Sequence, residues 1–157
     1  MARPLVIGVG MPMAGDDAAG RLVAQRLAGN DRGFDIAECQ GMAADLVLLF
    51  EGRARVLVVD ACRSGAAPGT LLRFDAITGT LPASPRAVSS HGSGVEEAIR
   101  LGRALGVLPE RCDLWAIEGA DFSLGAAMTP AVSAAVERCV AEIPACLAAA
   151  ERAIPRP

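Results

Sequence analysis

Residues 6–17 of the chain read VIGVGMPMAGDD. The segment begins as a short apolar run closed by glycines, a pattern typical of a buried strand that turns sharply into a helix. A dinucleotide-binding turn would need a third glycine at position 13, which is Met13 here. Asp16 and Asp17 also put negative charge where such a fold binds pyrophosphate. The turn therefore disfavours phosphate and indicates a cation-facing loop.

The pattern continues outward from this turn as strands that alternate with helices. The clearest strand is RVLVVD, residues 55–60, an unbroken apolar run of the kind found inside parallel sheets. This alternation predicts an α/β fold, a three-layer sandwich with a twisted, mostly parallel sheet of about five strands and helices on both faces. The length predicts one domain over residues 1–157. Strands are predicted at 4–9, 33–38, 55–60, 71–74, 86–89 and 113–117, and helices at 17–28, 43–51, 94–105 and 130–153.

Composition restricts the class of partner. The formal net charge is −3 and no basic run is present, which argues against nucleic acid and anionic membranes. No apolar run reaches the length of a membrane span, and no secretory signal is visible. Five cysteines, an odd number without a C-x-x-C pair, indicate neither a disulfide framework nor a zinc knuckle. We therefore expect a cytoplasmic protein.

The chain offers few residue types for catalysis. It contains no lysine, no tyrosine and a single histidine, His91. A lysine Schiff base and a tyrosine acid are thereby excluded. Ser93 lies in Gly92-Ser93-Gly94 rather than in the G-x-S-x-G turn of serine hydrolases. Proton transfer or metal chemistry would have to use His91, carboxylates or cysteines.

Several of these groups follow predicted strands. Asp17 comes after the first strand, Asp60 ends the third, His91 follows residues 86–89, and Glu118 follows residues 113–117. Ligands of open parallel sheets bind beyond the carboxyl ends of the strands, so these side chains are expected along one edge. Two carboxylates and an imidazole form a ligand set suited to nickel or zinc, with coordination positions left open.

Each residue also has a simpler interpretation. Asp17 could cap a helix, Asp60 could cap a turn, and His91 could be an ordinary loop histidine. Cys62, two residues beyond Asp60, could approach the same site or fill the core as a small apolar side chain. Capping does not require all three groups to share one edge, so their convergence favours a site.

Four segments, in order, resemble the hydrogenase maturation proteases over roughly residues 5–143. Such enzymes remove a short C-terminal extension from the large subunit of a [NiFe] hydrogenase after nickel has been inserted. The resemblance thus implies a nickel-dependent endopeptidase, of the aspartyl type, whose partner is the large-subunit precursor and which acts as a monomer. The four segments are GVGMPMAGDDAAGRLVAQRL, VLVVDACRSGAAPGTLLRFDA, SSHGSGVEEAIRLGRALGVLP and AIEGADFSLGAAMTPAVSAAV.

The resemblance also implies the site residues. The family's metal-contacting acid, aspartate and histidine correspond to Asp17, Asp60 and His91, which we expect to be both the catalytic and the metal-contacting residues. Asp16 corresponds to a helix-start or supporting acid. The nickel is implied to be carried by the substrate rather than bound permanently. It could polarise the scissile carbonyl or activate water, or it could serve only to select loaded precursor.

Two positions depart from the family pattern. The residue after the second glycine is usually asparagine, and here it is Met11. The glycine-rich loop after the second strand is replaced by residues 39–43, CQGMA, with Glu38 as a counterpart of the acid near that loop. Two other functions stay open at this point: a non-catalytic nickel-checking chaperone of the large subunit, and a nucleotide-binding enzyme.

Overall fold

The chain folds around one five-stranded sheet. The computed structural model describes residues 3–29, 31–85 and 94–153. A short 3₁₀ helix, Gly15–Ala18, links the first strand to the first α-helix. The strands are β1 (Leu5–Val9), β2 (Asp35–Cys39), β3 (Arg55–Cys62), β4 (Leu71–Asp75) and β5 (Arg111–Glu118), and the helices are α1 (Ala19–Leu27), α2 (Ala43–Phe50), α3 (Gly94–Leu105) and α4 (Pro130–Ala153).

The strand order is β2-β1-β3-β5-β4. All neighbouring pairs are parallel except β4 with β5, so the sheet is mostly parallel with one antiparallel edge strand. From β1 the chain moves first to one side, forming β2, and then to the other side, forming β3. The direction of winding therefore reverses between β1 and β3, and this reversal opens a crevice at the carboxyl ends of the two strands.

Helices cover both faces of the sheet. Alternate residues of the buried strands point to opposite faces, and each face has its own apolar cluster. Helices α2 and α3 pack on the face that includes Ile7 and Val58. Helices α1 and α4 pack on the face that includes Val6 and Leu57. The three-layer α/β sandwich predicted from the sequence is thus confirmed.

Helix α1 lies unusually close to the sheet at the crevice. A Cβ atom on Gly20 would collide with the backbone oxygens of Val9, the last residue of β1, and of Val59, which precedes Asp60 on β3. Gly8 makes the reciprocal approach to the Gly20 carbonyl group. Only glycine permits this contact, which brings the start of α1 directly over the two strand ends.

The structure differs from the sequence-based boundaries mainly in two places, and several other strand ends shift by one or two residues. The predicted helix 17–28 is divided into the 3₁₀ helix and α1. Strand β3 continues past Asp60 to Cys62, because β5 pairs with it along its whole length, as far as Cys62 opposite Glu118. The last helix has its predicted bounds, Pro130–Ala153, with Pro144 inside it. The strand predicted at 86–89 lies outside the described residues.

None of the helices in the described ranges is both long enough and apolar enough to span a bilayer.

We expect Gly20→Ala to destabilise the fold by about 2–3 kcal/mol, because the added methyl group must displace backbone atoms of two buried strands. Chemical denaturation measures this change in the free energy of unfolding. Gly102→Ala is the matched control: its Cβ would lie 3.5 Å from Leu108, an ordinary contact, and alanine favours the helix by about 0.5–1 kcal/mol. Equal stability of the two variants would contradict the close packing of α1.

Candidate functional site

Asp17 lies at the crevice between β1 and β3. The 3₁₀ helix positions it three residues before Gly20, where α1 touches both strand ends. The residue is 2% exposed. Its Oδ2 atom accepts a hydrogen bond from the backbone N–H of Met11, at 3.1 Å. Because this donor precedes the helix, Asp17 braces the turn that follows β1, and the helix-cap interpretation does not account for its position.

Asp60 lies on the neighbouring strand at the same edge. Gly8 of β1 is in register with Val59 of β3, so Asp60 stands beside the point where β1 ends. The residue is 4% exposed. It lines a small cavity of about 10 Å³, the size of one water molecule, together with residues of β3, β5, α3 and the segment before residue 86. The structure therefore brings Asp17 and Asp60 to one edge of the sheet.

His91, the third predicted site residue, lies outside the described residues. The chain on either side of residues 86–93 is described, and it borders the Asp60 cavity through Ser84 and Val95. Gly94 packs so closely on the Gly41 carbonyl that a Cβ atom could not be accommodated. Within the described part of the chain, no three histidine, cysteine, aspartate or glutamate side chains are grouped so as to hold a metal ion.

Asp16, next to Asp17, has a different environment. It is fully buried, and its carboxylate accepts hydrogen bonds from the backbone N–H groups of Ala120 (2.8 Å), Asp121 (3.1 Å) and Thr129 (2.7 Å). The Thr129 hydroxyl group, at 3.0 Å from both oxygens, completes the set. Asp16 therefore fastens the loop between β5 and α4 to the turn that carries Asp17. It supports the site rather than facing the crevice.

Glu118 fastens the segment that follows Asp60, much as Asp16 fastens the loop between β5 and α4. Its carboxylate accepts hydrogen bonds from the Ser64 backbone N–H and hydroxyl groups, the Gly65 N–H group and the Cys62 thiol. Burial acts to raise the pKa of Glu118, but these donors outweigh it and the pKa lies below its usual value. The sequence placed Glu118 on the correct edge, but its contacts show that it anchors the segment that follows Asp60.

The nearby thiols are poorly suited to act as nucleophiles. Burial, reinforced by the hydrogen bond to Glu118, raises the pKa of Cys62 far above its usual value. Burial also raises the pKa of Cys39, at the end of β2. Both thiols are protonated at neutral pH, whereas a cysteine nucleophile must be a thiolate. The interpretation of Cys62 as a small buried core residue fits its place in the cluster beneath α2 and α3.

An open groove of about 430 Å³ adjoins this edge beside β2. Its lining includes Glu38, whose carboxylate accepts hydrogen bonds from Arg21 at 3.2 Å and Gln25 at 2.9 Å. Glu38 is thus tied to α1 at the rim. The backbone N–H of Gly10 donates to the Cys39 carbonyl at 3.1 Å, which joins the two loops that depart from the family pattern.

Asp16→Asn is expected to lower the free energy of unfolding by about 2 kcal/mol, because an amide offers one acceptor oxygen where the carboxylate satisfies four donors. Urea denaturation measures the loss. Asp31→Asn is the control, since its side chain is 77% exposed and its partners, Arg3 and the Gly33 backbone N–H group, lie at the surface. If Asp16→Asn lowers the free energy of unfolding no more than the control does, the Asp16 hydrogen bonds do not fasten the loop between β5 and α4.

Acid should weaken the Glu118 anchor. The folded-state pKa is depressed, so the unfolded chain binds the proton more tightly and falling pH favours unfolding. The stabilisation from Glu118 is complete above its unfolded value near 4.5 and is lost as the pH falls through the lower folded value. Glu118→Gln should be less stable at pH 7, and its stability should change less with acid between pH 5 and 3 than the parent's, as measured by denaturation at each pH. If the free energy of unfolding depends on pH in the same way for parent and variant, Glu118 is not the group that weakens in acid.

Comparisons with known proteins agree with this architecture. The family model HycI, hydrogenase maturation protease, matches residues 30–145. Among solved structures, the chain is similar to the hydrogenase maturating endopeptidase HybD from E. coli, with 23% identity, 94% of this chain and 93% of that chain covered, and a TM-score of 0.76. It is also similar to the [NiFe] hydrogenase maturation protease HybD from Thermococcus kodakarensis, with 22% identity, 90% and 96% coverage and a TM-score of 0.70.

A third similar structure is the [NiFe] hydrogenase maturation protease HycI from Thermococcus kodakarensis KOD1, with 24% identity, 93% and 92% coverage and a TM-score of 0.68. No curated protein matches the sequence. At these identities the solved structures establish the fold, whereas the family model spans well over half of the chain. The chain therefore belongs to the hydrogenase maturation protease family.

Proposed function

We propose that this chain is an endopeptidase that removes the C-terminal extension of a nickel-loaded [NiFe] hydrogenase large-subunit precursor. Family membership supports the reaction class. The observation that carries the assignment to a site is the pair of nearly buried carboxylates, Asp17 and Asp60, at the crevice where the sheet reverses its winding.

The proposal assigns nickel recognition to Asp17, Asp60 and His91. Two carboxylates and one imidazole bind a first-row metal ion while leaving coordination positions for the groups of the substrate. The nickel belongs to the precursor and reaches the crevice with it. His91 precedes Gly94 by three residues, and Gly94 packs against the loop that follows β2 at the same edge.

Two neighbouring carboxylates, Asp16 and Glu118, which fasten loops beside the crevice, support this assignment. Asp16 and Glu118 are also buried carboxylates, and each accepts several hydrogen bonds from a loop distant in sequence, residues 120–129 for Asp16 and residues 64–65 for Glu118. They fix the backbone on either side of the crevice, so that Asp17 and Asp60 meet an incoming cation without large rearrangement. Such prior positioning lowers the cost of binding.

The thiols disfavour a rival mechanism. A cysteine protease would need a thiolate, and burial raises the pKa of both Cys39 and Cys62. The enzyme would therefore select its substrate by the nickel that the substrate carries. Loaded precursor presents the cation that Asp17, Asp60 and His91 recognise, and apo precursor does not.

Asp17→Asn, Asp60→Asn and His91→Gln are each expected to slow trimming of nickel-loaded precursor on the order of a hundredfold, because each replaces a carboxylate or imidazole ligand by a neutral amide that binds the metal more weakly. Mass spectrometry of the large subunit, sampled over time, gives the rate. Apo precursor should stay untrimmed by the parent chain. Circular dichroism should show that the variants keep their fold, and Glu51→Gln, at the exposed end of α2, should trim normally.

Full trimming by all three variants would rule out this site. A parent chain that binds nickel-loaded precursor but never shortens it would instead identify a non-catalytic nickel-checking chaperone. A large saturable thermal shift with NAD or ATP would favour the nucleotide-binding alternative.

A further inference from the structure

Exposed apolar side chains are concentrated near the crevice. In the described part of the chain, seven large hydrophobic residues are exposed, and four of them belong to loops at the carboxyl edge of the sheet. Exposed apolar groups gathered in this way mark interaction surfaces more often than isolated ones do. The four are Met11, Met13, Met42 and Leu124.

Met13 has a backbone conformation that non-glycine residues rarely adopt. Its φ angle is +63°, in the left-handed region, and its side chain is 75% exposed. The Met13 carbonyl accepts a hydrogen bond from the backbone N–H of Gly125 at 2.6 Å. Strain of this kind persists only where surrounding contacts enforce it, and it is concentrated at functional sites.

The same contact places Met13 beside Leu124, which precedes Gly125 and is 84% exposed. Asp16 fixes both loops, since its carboxylate binds residues 120, 121 and 129 and its own N–H group donates to the Asp121 carbonyl at 2.8 Å. The two apolar side chains are therefore presented from a rigid base. We call Met11, Met13 and Leu124 the apolar rim.

The apolar rim borders the catalytic crevice directly. The backbone N–H group of Met11 donates to the carboxylate of Asp17. A permanent occupant of the rim, such as a second copy of this chain, would obstruct Asp17. The occupant must therefore come and go with the reaction. An anionic membrane is disfavoured because the charged groups beside Leu124, Asp121 and the Arg63 guanidinium over the Phe122 ring, are one acid and one base rather than a basic cluster.

We propose that the apolar rim, Met11, Met13 and Leu124, binds an apolar surface of the hydrogenase large-subunit precursor next to its C-terminal segment. This inference rests on the proposed function. Methionine suits the task, because its flexible, polarisable thioether adapts to the shape of a partner. The rim supplies affinity for the protein, while Asp17, Asp60 and His91 recognise its nickel.

The test uses the double variant Met13→Gln/Leu124→Gln, which leaves Met11 and Asp17 unchanged. We expect KM for nickel-loaded precursor to rise on the order of tenfold, with kcat within about twofold of the parent, because the rim contributes to binding rather than to chemistry. Leu105→Gln is the control. Leu105 is 60% exposed and ends α3, the helix that runs away from the carboxyl edge, so its KM should not change.

If the parent processes the precursor normally and the double variant has an unchanged KM, the apolar rim does not bind the precursor, whereas the proposed function stands. If the parent does not process the precursor, the proposed function fails, and the dissociation constant for precursor then tests the rim alone, again with a tenfold increase expected. A parent dimer that the double variant abolishes, detected by light scattering, would show that the rim binds a second copy and would overturn the inference.

Discussion

The close approach of α1 to the carboxyl ends of β1 and β3 is the constraint on which the rest of the site depends. Gly20 makes it possible, because any side chain at that position would collide with the carbonyl groups of Val9 and Val59. A short 3₁₀ helix lies between β1 and α1, and it carries Asp16 and Asp17, both of which are buried.

Four buried carboxylates surround this point, and their partners divide them by role. Asp16 and Glu118 are each satisfied by a fan of donors from loops distant in sequence. Asp17 and Asp60 instead lie at the crevice itself, one on the turn and one on the strand. Burying a carboxylate is costly unless it is hydrogen-bonded or paired with a cation, and the hydrogen bonds of Asp16 and Glu118 offset that cost.

The sequence predicts the layers well because strand and helix periodicities differ and the apolar runs are unambiguous. It also predicts that Asp17 and Asp60 share an edge, because parallel strands carry their carboxyl ends to the same side. It does not reveal that Asp16 and Glu118 are clamps, since their partners lie 113 residues and more than 50 residues away. The extension of β3 to Cys62 was missed for a similar reason: it depends on pairing with β5, which no local pattern records.

The Asp16 clamp also has a consequence for synthesis of the chain. Asp16 lies near the start of the sequence, but its donors, Ala120, Asp121 and Thr129, lie in the last quarter. Strand β5, which occupies the position between β3 and β4, is also made late. A nascent chain that has completed β1, β2 and β3 therefore carries the Asp16 carboxylate without its donors and a sheet that lacks β4 and β5. The crevice therefore cannot reach its final form until the segment from β5 to the start of α4 has been synthesised.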